Sequence, residues 1–164
     1  MEEDVLRITD LSEIQAENFK LRNTEFLMED SLHYDMADHQ SRAELRHDIW
    51  VVRNGDLRQV SRDFPRDEPL RIQCAHWMHA VVGKHFFPDA NHRTAIALLR
   101  DLLWSNGIKP GKWPADRTRE VRDRSHDIRQ KIEPVRLDTL YRYDRLWLVW
   151  WRYFVDVLRN PEPL

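Results

Sequence analysis

At 164 residues, with a net charge of −2 at pH 7 and 41% hydrophobic residues including seven Trp, the chain has the size and composition of one folded domain, residues 1–164. The single cysteine excludes an intramolecular disulfide, and the acidic start Met1-Glu2-Glu3-Asp4 is unlike a signal peptide, so we expect a cytoplasmic protein. No apolar run reaches the ~20 residues that cross a bilayer, so we expect no membrane association through a spanning helix.

Residues 1–48 are predicted to form an N-terminal helical region. The run Asp10-Leu11-Ser12-Glu13 has the form of a capping box, and the loosely spaced apolar residues after it predict a helix over about residues 11–29. Residues 31–40 are polar and predict a loop. Residues 41–48 predict a further short helix.

A change of pattern at residues 49–60 predicts a small β-hairpin. β-Branched and aromatic residues lie on both sides of Asn54-Gly55, the dipeptide most typical of a two-residue hairpin turn. Such a turn would pair Val52 with Leu57. Because one hairpin is marginal in water, we expect it to lie on the helical body.

Residues 69–107 predict a helix-turn-helix core. Residues 69–84 are apolar on most sides, which is typical of a central buried helix, and residues 93–105 repeat the pattern up to a stop at Asn106-Gly107. Pro88 interrupts the chain between the two runs. The polar residues from His85 to His92 are therefore expected in a tight turn.

Residues 108–164 are predicted to hold the C-terminal helices. In the helix expected at 115–133, acidic residues interleave with basic ones, which favours a solvated face, with a nucleic-acid-binding surface as the alternative. The closing helix expected at 136–159 is apolar around its circumference. Such a helix is buried or packs on another chain, so the pattern leaves a homo-oligomer open.

The turn gathers residues suited to phosphate chemistry. Amides of residues 90–93 at the start of a helix favour anions, and Arg93 can bind two phosphate oxygens. Asp89 is a hard oxygen ligand suited to Mg²⁺, and His85 is the side chain that can accept a proton near neutral pH. These residues predict a phosphoryl or nucleotidyl transfer site.

A zinc cluster is the alternative interpretation of the histidines in this region. His76, His79, His85 and His92 lie close together in the sequence, and imidazole is a common zinc ligand. No pair of them has the i, i+4 spacing of a helical metal site, and Cys74 lies inside an apolar run. Ordinary helix residues are therefore the preferred interpretation of His76 and His79.

The string at residues 85–93 resembles the Fic/Doc family signature, H-x-F-x-[D/E]-[G/A]-N-[G/K]-R. The matching positions are His85, Phe87, Asp89, Ala90, Asn91 and Arg93. The order Asp-Ala-Asn, followed by Arg-Thr-Ala, is more similar to the Doc (death-on-curing) branch than to Fic proteins. The resemblance is specific over about residues 70–107 and implies an all-α, Fic/Doc-like helical bundle, with the hairpin at 49–60 as a flap that holds a target segment.

The resemblance implies a transferase that uses ATP and Mg²⁺ to modify a Ser, Thr or Tyr hydroxyl of a target protein. The matching residues imply His85 as the base and Asp89 as the metal ligand, with Asn91 and Arg93 stabilising phosphate charge beside Ala90 and His92. Doc transfers the terminal phosphate to a translation factor and is a toxin silenced by a small antitoxin. Both kinds of partner are expected here by analogy.

Two departures from the family pattern bear on the reaction. His92 replaces the Gly or Lys of the signature, and Ile96 replaces a second Arg that holds the triphosphate in Fic proteins that transfer AMP. The missing Arg favours Doc-like phosphoryl transfer, with AMP transfer as one alternative and a non-catalytic, degenerate Fic fold as another. Arg100, two helical turns beyond Arg93, is a candidate substitute in phosphate binding.

Overall fold

The computed structural model describes residues 5–29, 33–36 and 40–164, and these are mostly helical. The α-helices are α1 (Ala16–Met28), α2 (Arg42–Trp50), α3 (Asn54–Arg62), α4 (Leu70–Lys84), α5 (Asn91–Ser105), α6 (Ala115–Arg129) and α7 (Arg145–Val157). A 3₁₀ turn, Leu137–Thr139, precedes α7. The all-α prediction is confirmed.

Helix α4 is the central element. Helices α5 and α7 pack on it, α1 packs on α5, and α6 packs on α7. Trp77 of α4 is fully buried and stacks on Phe19 of α1, with ring centroids 5.7 Å apart. Its Nε1–H donates to the Ala95 carbonyl of α5 at 2.9 Å. These contacts fix α5 against α4 just beyond the turn that joins them.

The hairpin predicted at residues 49–60 is wrong. Helix α2 continues to Trp50, and α3 begins at Asn54, so Asn54-Gly55 opens a helix. Leu57 and Val60 lie three residues apart on one face of α3 and are fully buried, with α3 packed on α1. Burial of this face against the core outweighs the local turn preference of Asn-Gly. The strand-like pairing within the described residues is one isolated antiparallel bridge between Ile108 and Pro163.

The first and last predicted helices are shorter than expected. Asp10 accepts a hydrogen bond from the Ser12 N–H at 2.8 Å, and α1 begins only at Ala16, where the Gln15 N–H donates to Asn18. The span 136–159 divides into the 3₁₀ turn and α7, and α7 packs on α4 and α6 of the same chain. None of the helices in the described ranges is long and apolar enough to cross a membrane.

Candidate active site

The predicted catalytic turn lies between α4 and α5 and is bounded by two residues with left-handed backbone. Helix α4 ends at His85, with φ 57° and ψ 61°, and Ala90 just before α5 has φ 58° and ψ 25°. Neither is glycine, so each conformation costs roughly 1–2 kcal/mol. Strain of this kind is common where surrounding structure holds a backbone in place for function.

The backbone of the turn presents a set of unpaired amides. A left-handed residue followed by helical residues forms a nest, in which successive N–H groups point towards one anion. The first helical hydrogen bond runs from the Thr94 N–H to the Ala90 carbonyl at 2.9 Å, so the amides of residues 90–93 have no acceptor within the described residues. A cavity of about 160 Å³ opens here, lined by residues 89–93 and by Arg122, Asp123 and His126. We call it the turn cavity.

Asn91 lies inside the turn and not on its open face. Its side chain is buried, with Oδ1 accepting from the Phe87 N–H at 3.1 Å and Nδ2 donating to the Phe87 carbonyl at 2.9 Å. The same Nδ2 lies 3.2 Å from His85 Nδ1. Asn91 therefore holds the turn closed and orients the His85 ring, and its amide does not reach an anion in the cavity.

His85 is exposed at the edge of the turn and is uncharged at neutral pH. Desolvation by the surrounding protein, together with the positive charge of Arg129, lowers its pKa to about 4, against a smaller opposing effect of Asp89. Because Nδ1 accepts from the Asn91 amide, the neutral ring carries its hydrogen on Nε2. At 3.2 Å the contact is at the long end of ordinary hydrogen-bond distances, so another donor can displace it.

Asp89 and Arg93 face the chain segment of residues 33–36. The Asp35 N–H donates to Asp89 Oδ2 at 2.6 Å, and Arg93 Nη2 donates to the His33 carbonyl and lies 3.8 Å from the same Asp89 oxygen. Asn23 of α1 supports this side by donating to the Asp89 carbonyl at 2.8 Å. The carboxylate and the guanidinium that sequence predicted are therefore brought together, as a pair held by residues 33–36.

Helix α6 forms the opposite wall of the turn cavity, and sequence analysis did not single it out. Arg122 and His126 line the cavity, and Arg129 lies close enough to His85 to lower its pKa. These residues recur at intervals of three or four and so share one helical face. That spacing is the feature of the sequence that could have identified a cationic face on α6. The acidic residues interleaved along the same helix made the face hard to recognise.

His92 joins the turn to α6. Its Nε2 lies 2.7 Å from Ser125 Oγ, and the same hydroxyl accepts a hydrogen bond from Trp150 Nε1 at 2.9 Å. Burial and the neighbouring charge of Arg122 lower the pKa of His92 to about 3. His92 is therefore a neutral link between the turn of residues 85–93 and the two C-terminal helices α6 and α7.

Arg100 lies outside the turn cavity. Its guanidinium covers the Trp113 ring at 4.9 Å and donates to the Gly111 carbonyl at 3.2 Å. Together with Ile96 it lines a larger groove of about 580 Å³ between α5 and α6. The structure thus separates Arg100 from the other predicted phosphate-binding residues by about two turns of α5.

The turn offers one carboxylate to a metal ion. Within the described residues, no three His, Cys, Asp or Glu side chains are grouped to hold a metal. Asp89 is partly exposed, and its side-chain contacts with residues 33–36 and Arg93 engage Oδ2, which leaves Oδ1 without a partner among the described residues. This fits Mg²⁺, which commonly uses one or two carboxylates and takes its other ligands from substrate phosphates and water.

The histidines considered for zinc do not come together. His79 is fully buried, with its ring nitrogens at the Leu140 carbonyl and at Asp144, while His76 is buried in an aromatic cluster with Tyr141, Tyr143 and Trp147. Both are core residues of the α4–α7 packing.

Comparisons of the chain with protein-family models, with curated proteins and with solved structures found no match.

Proposed function

We propose that the protein is an ATP-dependent transferase of the Fic/Doc type that transfers a phosphoryl group to a Ser, Thr or Tyr hydroxyl of a target protein. The observation that carries the proposal is the turn of residues 85–93. It combines an uncharged imidazole, unpaired amides and a carboxylate–guanidinium pair beside one cavity. Phosphoryl transfer depends mainly on positioning and on stabilising phosphate charge, which these groups supply.

In the proposed reaction, the substrate hydroxyl oxygen attacks the γ-phosphorus while His85 accepts the hydroxyl proton. The bond from the γ-phosphorus to its bridging oxygen breaks, and ADP leaves. A pKa of about 4 makes His85 a weak base. This suits a loose transition state, in which the hydroxyl needs orientation more than strong deprotonation.

The amides of residues 90–93 would bind the transferred phosphoryl group, and Arg93 would supply positive charge from the same turn. Asp89 would hold Mg²⁺, which supplies positive charge to the nucleotide phosphates when bound. Asn91 acts as a positioning residue through its hydrogen bonds to Phe87 and His85.

Phosphoryl transfer is preferred to AMP transfer because Ile96 occupies the position of the second Arg of AMP-transferring relatives. By the resemblance to Doc, we further propose a translation factor as the target class, an antitoxin as the partner that silences the protein, and the cytoplasm as the place of action. These three statements depend on the resemblance of residues 85–93 to the family signature.

The test is incubation of the protein with cell extract, Mg²⁺ and ATP labelled at either the α or the γ position. We expect protein-bound label from γ-labelled ATP, its loss in His85→Ala, and its retention in His47→Ala, which removes an exposed imidazole from α2. Circular dichroism of both variants controls for folding. Label from the α position would replace phosphoryl transfer with AMP transfer, and label from neither would refute a catalytic role.

A further inference from the structure

The groove between α5 and α6 is basic throughout. Its charged lining residues within the described part of the chain are Arg100, Lys112, Arg119 and Arg122, with no carboxylate among them. Its volume of about 580 Å³ is within the range of roughly 300–1,000 Å³ that small-molecule sites occupy. A groove lined by four cations favours a ligand with several negative charges.

Arg122 connects this groove with the turn cavity, because its side chain lines both. Partial burial and the positive charge of Arg93 lower the pKa of Arg122. Neither Arg122 nor Arg119 has a salt-bridge partner among residues 5–29, 33–36 and 40–164. Arg93 and Arg119 both act on Arg122 with positive charge, and Asp123 and Asp89 oppose this only in part, so an anion bound beside Arg122 would relieve the remaining repulsion.

Arg119 and Arg122 line the groove from α6, three residues or about 4.5 Å apart along the helix axis, and Ile96 lines it from α5. Both arginines can therefore reach a ligand bound in the groove. Arginine can bind phosphate oxygens through two hydrogen bonds, which gives direction as well as charge.

We propose that Arg122 and Arg119 bind the phosphates of the nucleotide that the turn itself does not hold. The inference depends on the proposed function, and it specifies a nucleoside triphosphate as the substrate class. The phosphate chain would extend from the amides of residues 90–93 past Arg122 into the groove. A monophosphate would occupy the turn and would leave the arginine pair unused.

The test measures binding by isothermal titration calorimetry, without catalysis, for ATP, AMP and inorganic tripolyphosphate. We expect Arg122→Gln to weaken ATP and tripolyphosphate at least about tenfold, the usual effect of losing a charged hydrogen bond, and AMP less than about threefold. Arg119→Gln should act in the same direction. The control is Arg124→Gln, which removes an equal charge from another face of α6 and should change none of the three affinities.

Ile96→Arg in the Arg122→Gln background provides a second test, because it returns one cation to the same groove, and recovery of ATP affinity would support phosphate binding there. Equal weakening by Arg122→Gln and Arg124→Gln would overturn the inference, because the effect would then be one of net charge. Unchanged ATP affinity in Arg122→Gln would also overturn it. The proposed transferase would remain in place if His85→Ala still abolished labelling, so the two failures are distinguishable.

Discussion

The Asn91 side chain provides the most direct test of how the turn is held. Asn91→Ala removes the hydrogen bonds to the Phe87 N–H and carbonyl and the contact with His85 Nδ1. Phe87 is 1% exposed and Asn91 4% exposed, so the two backbone groups lose their partners in a buried place. Each orphaned group costs about 1–3 kcal/mol, and water entering the vacated space recovers part of it. We expect the free energy of unfolding to fall by about 2–4 kcal/mol.

The matched control is Asn106→Ala. Asn106 accepts through Oδ1 from the N–H groups of Thr9 and Asp10 at 3.1 Å and 3.0 Å, and donates through Nδ2 to the Asp10 and Leu102 carbonyls at 2.8 Å each; only the bond to Leu102 is part-buried. Water can replace the exposed bonds, so the expected loss is smaller, about 1 kcal/mol. Urea unfolding followed by tryptophan fluorescence measures both values. A loss for Asn91→Ala no larger than that for Asn106→Ala would refute the role of Asn91 as the residue that closes the turn.

Three further results are expected. The pH profile of kcat/KM for labelling should be flat from pH 8 to 6 and should fall only as the pH approaches about 4, where His85 of the free protein becomes protonated. With ATP bound, kcat should begin to fall at a higher pH, because the negative phosphates favour the protonated imidazole. Gly83→Ala should lower the melting temperature, since the added Cβ would lie 2.7 Å from Val135 Cγ2 and overpacking costs about 1–3 kcal/mol. Gly55→Ala is the control: its added Cβ would meet no atom within 4 Å, so the change should be neutral or stabilising. Burial alone would raise the pKa of Asp144, but hydrogen bonds from His79, the Trp147 N–H and Arg142 outweigh burial and lower the pKa from 3.8 to about 2. Asp144→Asn should therefore lower the free energy of unfolding by about 2 kcal/mol at pH 7, and the difference from wild type should disappear as the pH falls from 4 to 2. Denaturant titrations at several pH values measure this difference.

The helix-turn-helix core was predictable because its signals are strong and local. Two apolar runs, an intervening Pro88 and a stop at Asn106-Gly107 match α4 and α5 closely. The region of residues 49–60 was not predictable in this way. Asn54-Gly55 is typical of a hairpin turn, but burial of Leu57 and Val60, with α3 packed on α1, stabilises a helix instead. A choice of that kind depends on contacts distant in sequence, which a local pattern does not contain.

The same distinction holds for the site. His85, Asp89 and Arg93 lie within one short string, so their proximity followed from the sequence. Arg122 and Arg129 join them only because α6 packs on α7, which in turn packs on α4. The buried position of Asn91 was also unforeseen, because its spacing from Phe87 suits a ligand-binding amide as well as a turn-closing one.

The Ser125 hydroxyl connects three helices beside the turn cavity. It is fully buried and bonded on one side to His92 and on the other to Trp150, so one oxygen of α6 links the start of α5 with α7. The positive charges of Arg93 and Arg122 repel one another across the turn cavity, and this link opposes their separation. For the proposed transferase, we expect the link to set the width of the cavity before a nucleotide binds, and Ser125→Ala to widen the cavity without removing a charge.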